Sequence, residues 1–104
     1  LSAGRAGKVH GGDRLPWVET VSGEDNFAPL TALAWQVHVY GTASDDLAAA
    51  CAELHLPLHV FEWNERMANA GLAPDALYLV RPDGHVALAD PSGSAARLRE
   101  YRAG

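Results

Sequence analysis

Cysteine is almost missing from this chain: among 104 residues there is one, Cys51. A single thiol closes no internal disulfide, which excludes a disulfide-stapled fold and makes a reducing cytoplasm the natural setting. Basic side chains are also few, eight against thirteen acids, for a formal net charge of −5 at pH 7. The eight are scattered, so the chain repels a phosphate backbone and an anionic bilayer alike, and neither nucleic acid nor membrane is expected as a partner. No apolar run approaches the ~20 residues that span a bilayer, and no charged-then-apolar leader is read at the start. The chain begins at Leu1 rather than at a methionine, which points either to a removed leader or to a piece of something longer. What is present is ordinary globular material: 48% of the residues are apolar and 20% charged, enough for one domain with a real core.

Residues 1–14, "LSAGRAGKVHGGDR", are glycine-rich without apolar periodicity and read as a flexible opening segment or linker, leaving 15–104 as the folded domain. "LPWVETV" (15–21) has strand-like content, although Pro16 confines it to an edge or a strand start. "SGEDNF" is a turn, and "APLTALA" a short helical piece whose Pro29 suits a first helical turn. From Trp35 the order becomes regular. "WQVHVY" (35–40) is a strand with Val37 and Val39 on one face and His38 and Tyr40 on the other. Ser44 is a good N-cap, followed by Asp45 and Asp46 where a helix dipole favours anions, and Leu47, Cys51 and Leu54 form one apolar stripe. After Pro57 comes a second strand, "LHVF" (58–61), and then a short helix through "ERMANA" that Asn64 caps. "ALYLV" (76–80) and "HVALA" (85–89) make an antiparallel hairpin around "RPDG", and "SAARLREYR" (94–102) closes the chain as a helix. The first two of these strands, joined through a helix, should be parallel with a right-handed crossover. The expected fold is α/β: a mixed four- to five-stranded sheet, a βαβ unit followed by a ββα unit, with helices on both faces. That is the thioredoxin-like arrangement; element order alone carries it, so other α/β sandwiches stay open.

In such a fold a redox cysteine would sit where the first core strand meets the first helix. Here that corner reads "YGTASDD", and Cys51 lies two turns further on, on the buried stripe, so the redox pair is lacking. "GTAS" has no phosphate-loop lysine, Asp45 and Asp46 would repel an anion, and no G-x-S-x-G elbow surrounds Ser44. Capping accounts for this corner without catalysis. His38 and His59 hold matching places in neighbouring strands, but a metal needs a third ligand, and Glu62 and His85 stand in no recognisable spacing. The pairs Glu62/Glu65 and Asp83/Asp90 flank turns where acids sit in water. Trp35 belongs in the core, whereas Trp17 and Trp63 lie at element edges where either could close its own core or anchor a partner. No catalytic, cofactor-binding or metal-binding residue is assigned.

Two stretches carry a family likeness. "AGRAGKVHGGDRLPWVETV" resembles the G-x-R-x-P-type segment that opens the C-terminal domain of FAD-dependent aromatic-ring hydroxylases, matching at Gly12, Asp13, Arg14, Leu15 and Pro16. These are the class A flavoprotein monooxygenases, phenol hydroxylase and hydroxyphenylpropionate hydroxylase relatives among them. "LYLVRPDGHVAL" is similar to the family's closing hairpin, at Leu79, Val80, Arg81, Pro82, Asp83, Gly84, His85, Val86 and Ala87. The likeness runs from about Gly4 to Arg102, with "LTALAWQVHVYG" fitting more loosely. It implies a thioredoxin-like C-terminal domain without redox cysteines, which packs on the FAD-binding domain of the same polypeptide or supports a homo-oligomer. It further implies a parent enzyme that uses FAD, NAD(P)H and O2 to hydroxylate a phenolic substrate, with the cofactors held upstream. This chain has no G-x-G-x-x-G, and its Gly12–Asp13 pair belongs to the opening segment, so no flavin role is carried onto it. Leu15, Pro16 and Trp17 are expected near the domain junction. Two rivals stand beside this reading: a free-standing, redox-inactive thioredoxin-like binding module, and a small thiol enzyme using Cys51.

Overall fold

The computed structural model describes residues 2–20, 23 and 25–103; Val21, Ser22 and Glu24, within the expected strand and turn, lie outside the described residues, as do Leu1 and Gly104. The elements follow one another as β1 (Ala3–Ala6), β2 (Val9–His10), a 3-10 turn (Ala28–Ala32), β3 (Gln36–Tyr40), α1 (Asp45–Glu53), β4 (Leu58–Phe61), α2 (Glu65–Asn69), β5 (Leu77–Val80), β6 (Val86–Asp90) and α3 (Ala95–Ala103). One six-stranded sheet results, in the order β2-β1-β6-β5-β3-β4. β3 runs parallel to β4, with Val37 opposite Leu58 and Tyr40 opposite Phe61, and antiparallel to β5, which in turn pairs antiparallel with β6. These four strands are the expected βαβ and ββα units, and their order is compatible with a thioredoxin-like arrangement.

Alternation along the strands divides the core in two. Val37, Val39, Leu77, Leu79 and Leu88 face α1 and α3, which bring Leu47, Ala50, Cys51, Ala95 and Leu98. Tyr40, Tyr78 and Val80 point to the other face, under Met67 of α2 together with Leu15, Val18, Phe27 and Leu30. Helices therefore cover both faces, and β3 and β5 are buried along their whole length. α1 starts as its sequence requires: the Leu47 N–H donates to Ser44 Oγ at 3.1 Å, with Asp45 and Asp46 in the first turn. It ends with His55 in the left-handed region and the Leu56 N–H returning to the Cys51 carbonyl at 2.8 Å, just before Pro57.

Two expectations need correction. The segment read as a linker contributes two strands: β1 lies parallel to β6, with Ala3 opposite Leu88 and Gly4 opposite Ala89, and β2 folds back antiparallel on β1. The sheet accordingly has six strands rather than four or five. Its Gly4 is there for close approach, since it has φ +82° and a Cβ on it would run into the Ala89 carbonyl oxygen. Residues 15–20 of the stretch read as strand-like do not form a strand. One isolated bridge falls there, Glu19 to Asp25, and a second, Arg14 to His85, just before it. Pro16 has no N–H to give a ladder, and the Pro16 carbonyl and Val18 N–H are taken by the side chain of Asn26.

Candidate functional site

The strand-to-helix corner, where this architecture could hold chemistry, is closed by its own residues. Asp75, at φ +63°, donates its N–H to the Tyr40 carbonyl at 2.9 Å and accepts the Thr42 N–H on Oδ1 at 2.6 Å. Ser44 Oγ is engaged as the helix cap. An incoming anion would find these groups occupied and exposed Asp45 and Asp46 beside them. Cys51 is buried in the α1 stripe, and burial pushes its thiol up, away from the reactive thiolate. We expect Cys51 to be alkylated by a thiol reagent at least ~100-fold more slowly in the native protein than in denaturant. Equal rates in the two states, read by mass spectrometry, would restore the thiol-enzyme reading.

The densest polar chemistry lies on the other face of β3, and it runs as a single buried chain. Gln36, His38 and Tyr40 share that face, two residues apart, and Asn26 reaches them from the loop before the 3-10 turn. The Gln36 amide nitrogen donates to the carbonyls of Pro29, at 3.1 Å, and Ala34, at 3.4 Å, which leaves its oxygen to accept. His38 Nε2 therefore carries the proton and donates to Gln36 Oε1 at 2.6 Å. Nδ1 must then accept, and it takes the Tyr40 hydroxyl proton at 2.9 Å. The Tyr40 oxygen in turn accepts from Asn26 Nδ2 at 3.0 Å. Asn26 completes itself by donating to the Pro16 carbonyl at 2.7 Å and accepting the Val18 N–H at 2.8 Å. Every step of this chain requires a neutral His38, and its burial, with His59 nearby, pushes the imidazole down to about 3. Burial pushes the Tyr40 phenol up.

His59 meets His38 edge-on at 5.7 Å between ring centroids, as the strand register requires, and burial lowers it as well. Among the described residues no three metal-ligating side chains come together. Asp83 accepts from Arg81 at 2.6 Å within the exposed hairpin turn, and Asp90 Oδ2 accepts the Ser94 N–H at 2.9 Å at the start of α3. Tyr78 links β1 to the loop before β5, its hydroxyl donating to the Ala6 carbonyl at 3.0 Å and accepting the Ala73 N–H at 2.8 Å. These polar groups hold backbone segments in place.

The residues expected at a domain junction part company here. Leu15 is 2% exposed and belongs to the core, Pro16 is half-buried, and Trp17 stands 58% exposed. Trp63 is half-buried against the same core, and Trp35 is half-buried with the Arg102 guanidinium 5.1 Å above its ring. Trp17 is thus the tryptophan available at the surface. Sequence reasoning missed Asn26, because an asparagine in "SGEDNF" is indistinguishable from an ordinary turn residue.

Comparison with known proteins adds three findings. No curated protein matches the chain. Among solved structures, the chain is similar to BexE, studied for oxidation during BE-7585A biosynthesis, at 26% identity and a TM-score of 0.58. That match covers 86% of this chain and 18% of the BexE chain, so this chain spans less than a fifth of that relative. The family profile described as aromatic-ring hydroxylase, C-terminal, matches residues 9–103, and the chain belongs to that family.

Proposed function

We propose that this chain is the non-catalytic C-terminal domain of a cytoplasmic, FAD-dependent aromatic-ring hydroxylase, and that it packs on the FAD-binding part of the same polypeptide. The whole enzyme would use NAD(P)H and O2 to hydroxylate a phenolic substrate. The observation that carries this reading is the family match over residues 9–103, taken with the small share of the BexE chain that these residues span. The residues present do not fit either cofactor. The Gly12 N–H donates to the Val86 carbonyl at 2.6 Å, and Asp13 Oδ2 accepts the His10 N–H at 2.8 Å, so the Gly-Asp pair is spent on joining β2 to β6. The backbone of the strand-to-helix corner is likewise bound to Asp75. No step of a flavin reaction is therefore assigned to this chain, and its contribution is a packing surface.

The test is direct. The 104-residue chain, mixed with FAD and desalted, is expected to emerge colourless and to leave NADPH unoxidised in air. Stoichiometric retention of FAD, or NADPH oxidation above the buffer rate, would contradict the proposal.

A further inference from the structure

Trp17 is held out at the surface by the interior. On either side of it Leu15 and Val18 are sunk in the core, and Pro16 has its φ fixed by its ring. The carbonyl before Trp17 and the N–H after it are bound by one side chain, Asn26, which is fully buried and tied through Tyr40 to β3. The indole therefore projects from a backbone that has little freedom left to lose. A tryptophan so placed has the character of a binding hot spot: large apolar area, and an ordering cost already met by the fold. Among the described residues the other large exposed apolar side chains lack this mount. Leu33 ends the 3-10 turn at φ +53°, and Val60 lies on the edge strand β4.

We propose that Trp17 is the anchor by which this domain seats on the remainder of its own polypeptide, with the indole entering an apolar pocket there. This rests on the function proposed above. The occupant follows from what these residues leave out. They span 18% of the BexE chain, and the family they belong to is described as C-terminal, so most of such a polypeptide lies outside these residues. Covalent linkage gives that partner a high effective concentration, so one preorganised anchor suffices without a broad apolar face.

The experiment is hydroxyl-radical footprinting of the full-length natural gene product, read by mass spectrometry. Synthetic peptides spanning residues 13–20 and 30–36 serve as the unprotected references. Trp17 is expected to oxidise at least about tenfold more slowly than in its peptide, while Leu33 stays within about twofold of its own, because exposure of 58% and 74% alone protects neither strongly. Trp17 oxidation within about twofold of the peptide, in a yellow full-length protein, would overturn the anchor and leave the proposed function standing. Protection that disappears when an oligomer is diluted to flavin-bearing monomers would also overturn it, because the pocket would belong to a second copy. A colourless product no larger than this chain would overturn both proposals.

Discussion

Asn26→Ala is expected to lower folding stability by about 3–5 kcal/mol, a large loss for one asparagine outside the regular elements. The size comes from what the side chain leaves behind. Its amide satisfies the Val18 N–H, the Pro16 carbonyl and the Tyr40 hydroxyl, at 2.7–3.0 Å. Each buried polar group deprived of its partner costs about 1–3 kcal/mol. Tyr40 keeps its bond to His38, and the half-buried Pro16 can recruit water, so the sum falls short of three full penalties. Asn26→Asp keeps the acceptor for Val18 but turns a carboxylate oxygen toward the Pro16 carbonyl, so it should be damaging at neutral pH as well. Asp25→Ala is the local control, since among the described residues that half-buried carboxylate accepts the neighbouring Phe27 N–H, at 2.9 Å. Urea unfolding compares the three variants. A loss below about 1 kcal/mol for Asn26→Ala would show that the loop is held by its apolar contacts instead.

Acid should weaken the fold through His38, and the sign follows from the direction of its shift. Above pH 6.5 the residue is neutral whether folded or unfolded, and it contributes no pH dependence. Between pH 6.5 and about 3 the unfolded chain binds a proton at His38 that the folded chain refuses. Stability then falls with falling pH by about 1.4 kcal/mol per unit, and levels off below the folded value. Near pH 4.5 the loss from this one group reaches about 3 kcal/mol. The groups facing His38 are Gln36 and Tyr40 on its own strand and His59 and Phe61 on β4. His59, also lowered by burial, adds a smaller effect of the same sign. His38→Gln keeps a donor for Gln36 and removes the titration. Its stability, lower than wild type at pH 7 because Tyr40 loses its acceptor, should decline less steeply toward pH 4.5, with the two curves converging by about 2–3 kcal/mol. Parallel curves would mean that His38 takes up a proton inside the fold.

The parts of the structure legible in the sequence were those with a side-chain pattern. Val37, His38, Val39 and Tyr40 alternate, Ser44 caps, Leu47 and Cys51 repeat at helical spacing, and "RPDG" turns; β3, α1, β5 and β6 appear where these signs put them. β1 and β2 carry no such sign, because "AGRA" offers the cores only the small side chains of Ala3 and Ala6 and its glycine serves a close approach to Ala89. "LPWVETV" misled for the converse reason: its composition suits a strand, while among its described residues the Pro16 carbonyl and Val18 N–H go to an asparagine side chain and only Glu19 makes an isolated bridge. The same long-range fact hid the site. The residues around Trp17 could be read as a junction from family likeness, but the separation of Leu15 into the core and Trp17 into solvent depends on Asn26, eleven positions after Leu15. The alternation of β3 did foretell that His38 and Tyr40 share a face. It could not foretell that Gln36 and Asn26 complete a closed set of donors and acceptors, because Asn26 reaches Tyr40 from another segment and the Gln36 amide is fixed by the Pro29 and Ala34 carbonyls outside the strand.

The most direct measurement of the central claim is the intact mass and visible absorption of the natural gene product that contains this segment. A protein several times larger than this 11.1 kDa chain, yellow with bound flavin, is the predicted result and makes the chain the structural tail of an oxidative enzyme. A colourless protein of about this size would contradict the account and leave a free-standing binding module in its place.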